Sequence, residues 1–163
     1  MNVIRNDLLQ WSVEKNPDNT VIYLKGIINE EFTYKELLSE IQERRHLPLR
    51  IHLKEIKRIN SMGIREWFNL LRDLHWETKV VLSECSMIFT EVLSQIEELG
   101  YGCFIESCYV PVWCDHCEEE FEIRINMTIP LSENPADIAC PLCGDSCSVD
   151  TWSLEDILKK QKS

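Results

Sequence analysis

Arg58-Ile59-Asn60-Ser61-Met62-Gly63-Ile64-Arg65-Glu66-Trp67 joins a strand-patterned run to a helix-patterned one. On its N-terminal side, Leu47, Leu49, Ile51 and Leu53 alternate with Pro48, Arg50, His52 and Lys54. That period of two belongs to a strand with one buried face. On its C-terminal side, Ile64, Trp67, Phe68, Leu71 and Leu74 fall on one side of a helix. Ser61 stands at the junction, where a hydroxyl can accept a hydrogen bond from a free N–H of the first helical turn. Gly63, one turn into the helix, costs helix stability and leaves the backbone open to close approach, here expected from a partner.

Working outward, Leu8 to Val13 and Thr20 to Ile28 read as two strands around the turn cluster Asn16-Pro17-Asp18-Asn19. Thr33 with Glu36 suggests a capping box for a helix whose apolar side is Tyr34, Leu37, Leu38 and Ile41. Beyond the central stretch, Thr78 to Glu84 is strand-like. Ser86 opens a helix carrying Ile88, Phe89, Val92, Leu93, Ile96 and Leu99, with Gly100 as its stop. Phe104, Ile105 and Tyr109 to Trp113 then read as a last strand. The order β-β-α-β-α-β-α-β predicts a mixed sheet with helical crossovers. The polar alternates Arg50, His52 and Lys54 predict helices mainly on one face of it.

The central stretch resembles the signature of STAS domains, the anti-sigma factor antagonists. In that family a strand ends in an Asp-Ser-x-Gly-hydrophobic turn at the start of the second helix. Here Asn60, Ser61, Gly63 and Ile64 hold those positions, with Asn60 in place of the usual Asp. The order and spacing of elements over roughly residues 8–112 agree with the same family. The resemblance implies a STAS-like α/β domain over residues 1–112. It implies a serine, Ser61, phosphorylated by an anti-sigma-type kinase, and a partner contact made by Asn60, Ser61, Met62, Gly63, Ile64 and Arg65. It also implies a phosphoprotein of transcriptional signalling whose partner is an anti-sigma factor, its serine kinase or a related protein. A phosphate adds nearly two negative charges and three strong acceptors. At a helix N-terminus the fold tolerates it, so the disturbance falls on whatever packs over the turn. The competing reading is that Ser61 caps a helix and does no more, in a constitutive scaffold or dimerisation protein.

Residues 113–163 differ in character. Cys114-Asp115-His116-Cys117 and Cys140-Pro141-Leu142-Cys143 are two C-x2-C knuckles separated by about 22 residues. Four thiolates from two tight turns suit a tetrahedral zinc ion, and a closed four-cysteine set makes that zinc structural. Glu122 to Ile129 alternates as a strand, Leu131 to Pro135 reads as a loop, and Ser153 onward as a short amphipathic helix. Together they predict a small β-rich zinc-ribbon module that needs its metal to fold. Free or disulfide-bonded cysteines are the alternative. His116 is surplus to four thiolates, and Cys147 is a possible substitute ligand. Cys85, Cys103, Cys108 and Cys147 read most simply as small buried residues. A zinc–thiol redox sensor would need an exposed, low-pKa thiol beside a cation, which the sequence does not display.

Composition narrows the function further. The formal net charge is −11, which argues against nucleic acid and anionic membrane as partners. Residues 1–100 carry 16 acidic and 13 basic residues and residues 101–163 carry 12 and 4, so most of the excess lies in the cysteine module. The basic residues Arg44, Arg45, Arg50, Lys54, Lys57 and Arg58 cluster before the central stretch, either as a solvated face or to steer an acidic partner. The chain has no long apolar run and no signal-peptide pattern at its start, so a soluble, cytoplasmic protein is expected. It has no phosphate-binding glycine loop, nucleophile elbow or HExxH motif, so no enzymatic activity is expected. Trp113 and Trp152 flank the module and could seed a docking or homodimer surface.

Overall fold

A computed structural model of the chain describes residues 8–161. The strands β1 (Gln10–Lys15), β2 (Thr20–Ile28), β3 (Leu49–Ile59), β4 (Val80–Ser83) and β5 (Cys103–Ile105) lie side by side in that order. β1 and β2 form an antiparallel hairpin, and every later pairing is parallel. The helices α1 (Tyr34–Glu40), α2 (Ser61–Leu74) and α3 (Met87–Gln95) make the three crossovers. Because each crossover steps to the next strand in the same direction and such crossovers share one hand, all three helices fall on the same face. Burial along β3 shows it: Leu49, Ile51, Leu53 and Ile56 are buried, while Arg50 and His52 on the opposite face remain half-exposed.

Trp67 is the pivot of the helical layer. It is fully buried, and its ring meets Phe89 of α3 edge-on at 5.6 Å between centroids. Its indole Nε1 donates to the Leu99 carbonyl at 2.8 Å. That bond ties α2 to a 3-10 turn, Glu97–Gly100. α3 itself ends before that turn, at Gln95, with Ile96 extended, so Gly100 is not its stop. Ser86 caps α3 through a bond from the Phe89 N–H at 3.2 Å. Thr33 does not cap α1 through its hydroxyl; Glu36 N–H bonds to the Thr33 backbone carbonyl instead, at 3.0 Å.

On the open face of the sheet, which also carries Val81 and the exposed Phe104 ring, the polar side chains pair with one another. The Tyr23 and His52 rings stack at 4.7 Å, and His52 Nδ1 lies 3.2 Å from Glu84. Arg50 is ion-paired with Glu106, which also accepts from the Ser83 hydroxyl at 2.7 Å. Burial pushes the Glu106 carboxyl up, but the Ser83 hydroxyl and the Arg50 guanidinium outweigh it and hold the group below the ordinary range.

The chain passes from β5 into β6 (Ser107–Cys114) across the single residue Glu106. β6 pairs antiparallel with β7 (Glu119–Asn126). At its start β6 still bonds to the end of the main sheet, Cys85 N–H to Ser107 O at 3.0 Å and Tyr109 N–H to Cys85 O at 2.9 Å. Residues 112 and 113, where the composition changes, therefore lie within one strand. Cys108, Val110, Ile125, Leu154 and Ile157 share a buried cluster with the helical layer. β7 begins three residues earlier than its alternation suggests and ends at Asn126, whose side-chain oxygen accepts from Thr128 N–H at 2.9 Å in a turn. β8 (Asp137–Ala139) and β9 (Ser146–Ser148) form a second small hairpin, and α4 (Trp152–Gln161) closes the chain. The first seven and last two residues, including the polar chain end, and the side chain of Trp152 lie outside the described residues. Among the described residues no helix is long and apolar enough to cross a membrane.

Candidate functional site

Two places carry the residues singled out by sequence. The first is the β3–α2 turn. β2 and β3 end in register at Ile28 and Ile59, so the chain segments leaving both strands meet there. The N-cap of α2 is Asn60, not Ser61: Asn60 Oδ1 accepts from the Gly63 N–H at 2.8 Å. Ser61 is the first residue of the helix, and its side chain is exposed. This corrects the expectation that the Ser61 hydroxyl does the capping. Asn offers the same short acceptor one residue earlier, in the extended conformation an N-cap requires.

The other end of the Asn60 amide accounts for an amide at this position. Nδ2 donates to Glu30 Oε2 at 2.9 Å. Glu30 is presented by a turn in which Asn29 Oδ1 accepts from the Glu31 N–H at 3.0 Å. The Asn60 hydrogen bond holds the Glu30 carboxyl below its usual range. Aspartate in place of Asn60 would set two carboxylates against each other. Nothing local in the sequence marks Glu30, which lies thirty residues away and reaches the turn only through the parallel pairing of β2 with β3.

Gly63 also differs from its sequence reading. It is buried, and a Cβ built on it would lie 2.1 Å from the Ile28 carbonyl oxygen. The same carbonyl accepts the Asn60 N–H at 3.2 Å. The close approach that Gly63 permits is therefore to the chain's own β2. What remains outward is Ser61, Met62 (47% exposed) and Arg65, with Ile64 half-buried. Of the six basic residues upstream, the three arginines that precede β3's outer half serve the fold. Arg44 holds the β1–β2 turn through Asn19 O and Thr20 Oγ1, Arg45 bonds to Asp73 O and Arg50 pairs with Glu106. Lys54 lies over the Tyr109 ring. Lys57 and Arg58 stay exposed beside the turn.

The second place is the cysteine cluster. Cys114 ends β6, Cys117 closes the β6–β7 turn, and Cys140 and Cys143 come from the β8–β9 turn. Their four sulfurs lie within 4.8 Å of one another and could hold a metal ion. Two sulfur pairs are 3.6 Å (Cys114 and Cys143) and 3.9 Å (Cys117 and Cys140) apart. For a tetrahedral ion with bonds of about 2.3 Å, the ligand sulfurs should be about 3.8 Å apart, so the donor set fits. The turns also offer backbone N–H groups to thiolate sulfur: Cys117 N–H to Cys114 at 3.5 Å, Leu142 N–H to Cys140 at 3.4 Å and Asp145 N–H to Cys143 at 3.5 Å. The N–H groups of Cys143 and Leu142 push the Cys140 thiol down to about 6. Gly144, at φ +81°, supplies the left-handed residue that closes the second knuckle. His116 is exposed and lies 3.4 Å from Asp145. Cys147 is buried beneath the cluster with its sulfur on the Asp145 carbonyl, outside the group of four.

No family model and no curated protein matches the chain. Among solved structures it is similar to the protein TM1081, determined by NMR, with a TM-score of 0.49 and 16% identity over 59% of this chain and 79% of that one. It is also similar to the anti-sigma factor antagonist SpoIIAA in its unphosphorylated form, with a TM-score of 0.44 and 16% identity over 59% of this chain and 87% of that one.

Proposed function

We propose that the chain is a protein-binding signalling module of the anti-sigma factor antagonist kind, without enzymatic activity, switched by phosphorylation of Ser61. The observation that carries this reading is the division of labour at the β3–α2 turn. Asn60 takes the cap, Gly63 takes the packing against β2, and Ser61 is left exposed on the first turn of α2 with neither duty. A phosphate there would sit at the positive end of the helix, so the fold would carry it. Bulk and charge would instead disrupt a partner seated on Ser61, Met62 and Arg65. The partner class is a serine kinase or anti-sigma-type protein. In this reading the four cysteines hold a structural zinc ion, with no open coordination position and so no catalytic role.

Phosphopeptide mapping of the protein from its native cells, in growth and under stress, tests the switch. Occupancy of Ser61 that changes with condition is expected, together with a partner that binds the unmodified chain and is lost from Ser61→Asp. Absence of phosphate at full peptide coverage, with binding indifferent to Ser61→Asp, would replace the switch by a constitutive scaffold. One observation favours that second reading enough to keep it: Trp113 and Leu142 beside the knuckles are 53% and 72% exposed, as a docking or dimer surface would require.

A further inference from the structure

Away from both sites, a cavity of about 640 Å³ opens between the C-terminal half of α2, the 3-10 turn after α3, the start of β5, and α4. Its floor is apolar, formed by Leu93, Ile105 and Ile157, each at most 4% exposed. Its upper wall is aromatic. Phe68 and Tyr101 meet edge-to-face at 5.3 Å, and Tyr101 is 39% exposed. The aromatic surface continues outward through His75, 4.9 Å from Tyr101, to Trp76, which is 85% exposed. Two carboxylates, Glu97 and Glu98, line the cavity, and among the described side chains no lysine or arginine does. Arg72 approaches the Phe68 ring at 6.0 Å and is paired with Asp73.

Backbone geometry holds the wall in place. Gly102 sits at φ +68°, and a Cβ there would lie 2.3 Å from His75 Nδ1, so the loop is packed directly onto the aromatic row. The Trp67 bond to Leu99 O fixes the rim from behind.

We infer that this cleft binds a small amphipathic organic cation, its apolar body on Leu93, Ile105 and Ile157 and its ammonium group between the Tyr101 and Phe68 rings and the Glu97 and Glu98 carboxylates. Ring faces attract cations through their quadrupole, and exposed carboxylates add long-range attraction. An apolar floor alone would accept neutral ligands as readily. The rings and the carboxylates together select positive charge. The cleft, which Cys103 also lines, is separate from the Ser61 turn and from the four knuckle cysteines.

Titration of the full-length, metal-loaded, isotope-labelled protein with benzyltrimethylammonium tests the assignment, with benzyl alcohol and phenylacetate as the neutral and anionic comparisons. Saturable amide shifts confined to residues 97–105 and to the helical turns around Phe68, Leu93 and Ile157 are expected. Affinity should fall in the order cation, neutral, anion. The double variant Glu97→Gln/Glu98→Gln and the variant Tyr101→Leu, each with an otherwise unchanged spectrum, should each weaken the cation about ten-fold and leave benzyl alcohol unaffected. Equal binding of benzyl alcohol and cation, shifts centred elsewhere, or no saturation would each overturn the inference.

Discussion

Substituting Gly63→Ala pits a local preference against a tertiary contact. On helix propensity alone alanine should stabilise α2 by about 1 kcal/mol. In the fold the new Cβ would sit 2.1 Å from the Ile28 carbonyl oxygen and 2.4 Å from its carbon. Both are backbone atoms of a central strand, so neither can swing aside as a flexible side chain would. The N-terminus of α2 has to retreat by about 1 Å to restore ordinary contact. That movement strains the bond from Asn60 N–H to Ile28 O and the cap from Asn60 Oδ1 to Gly63 N–H. Losing a backbone hydrogen bond costs about 1 kcal/mol, losing a cap about another 1, and overpacking about 1–3. Net of propensity, Gly63→Ala should destabilise the protein by about 2–4 kcal/mol. With a urea slope of about 2 kcal/mol per molar, the unfolding midpoint should fall by about 1–2 M. Urea unfolding followed by far-UV circular dichroism reads this directly, with Ser61→Ala as a neighbouring substitution expected to leave the midpoint in place. A Gly63→Ala protein as stable as the parent, or more so, would show that α2 does not rest on β2 and that Gly63 is open to a partner after all.

Asn60→Asp should lower the thermal midpoint at neutral pH, because the new carboxylate faces Glu30; the loss should shrink as pH falls and one group protonates, and Glu30→Gln should restore the midpoint. Glu106 has a depressed folded pKa, so its pairing stabilises the fold above the ordinary carboxylate pKa and is lost as pH falls through 4.5 and below; Glu106→Gln should flatten the acid limb of a stability–pH profile and leave less stability at pH 7. Metal analysis should find one zinc ion per chain, lost from Cys143→Ser, and cobalt exchange should give the intense absorption of a tetrahedral thiolate site. Chelation should collapse the amide dispersion of the β6–β7 turn, β8 and β9 before that of β1 to β4.

The alternation through Leu49, Ile51 and Leu53, the helical spacing from Ile64 to Leu74, and the two C-x2-C knuckles were legible because each is a local pattern. A strand's period of two, a helix's of 3.6 and a thiolate turn are all set within a few residues. They determined the α/β order, the one-sided helical layer and the grouping of Cys114, Cys117, Cys140 and Cys143. What only tertiary structure decided depends on segments far apart in the chain. Ser and Asn are both good caps, so which of Ser61 and Asn60 serves depends on where the helix starts, and Asn60 has a second partner in Glu30 across the sheet. Gly63 signals close approach in either setting; that the approaching group is Ile28 O follows from the parallel register of β2 and β3. Nor does any short-range pattern bring Phe68, Tyr101, Glu97 and Ile157 around one cleft. Such sites escape sequence because a side chain's chemistry is local while its neighbours are assigned by packing.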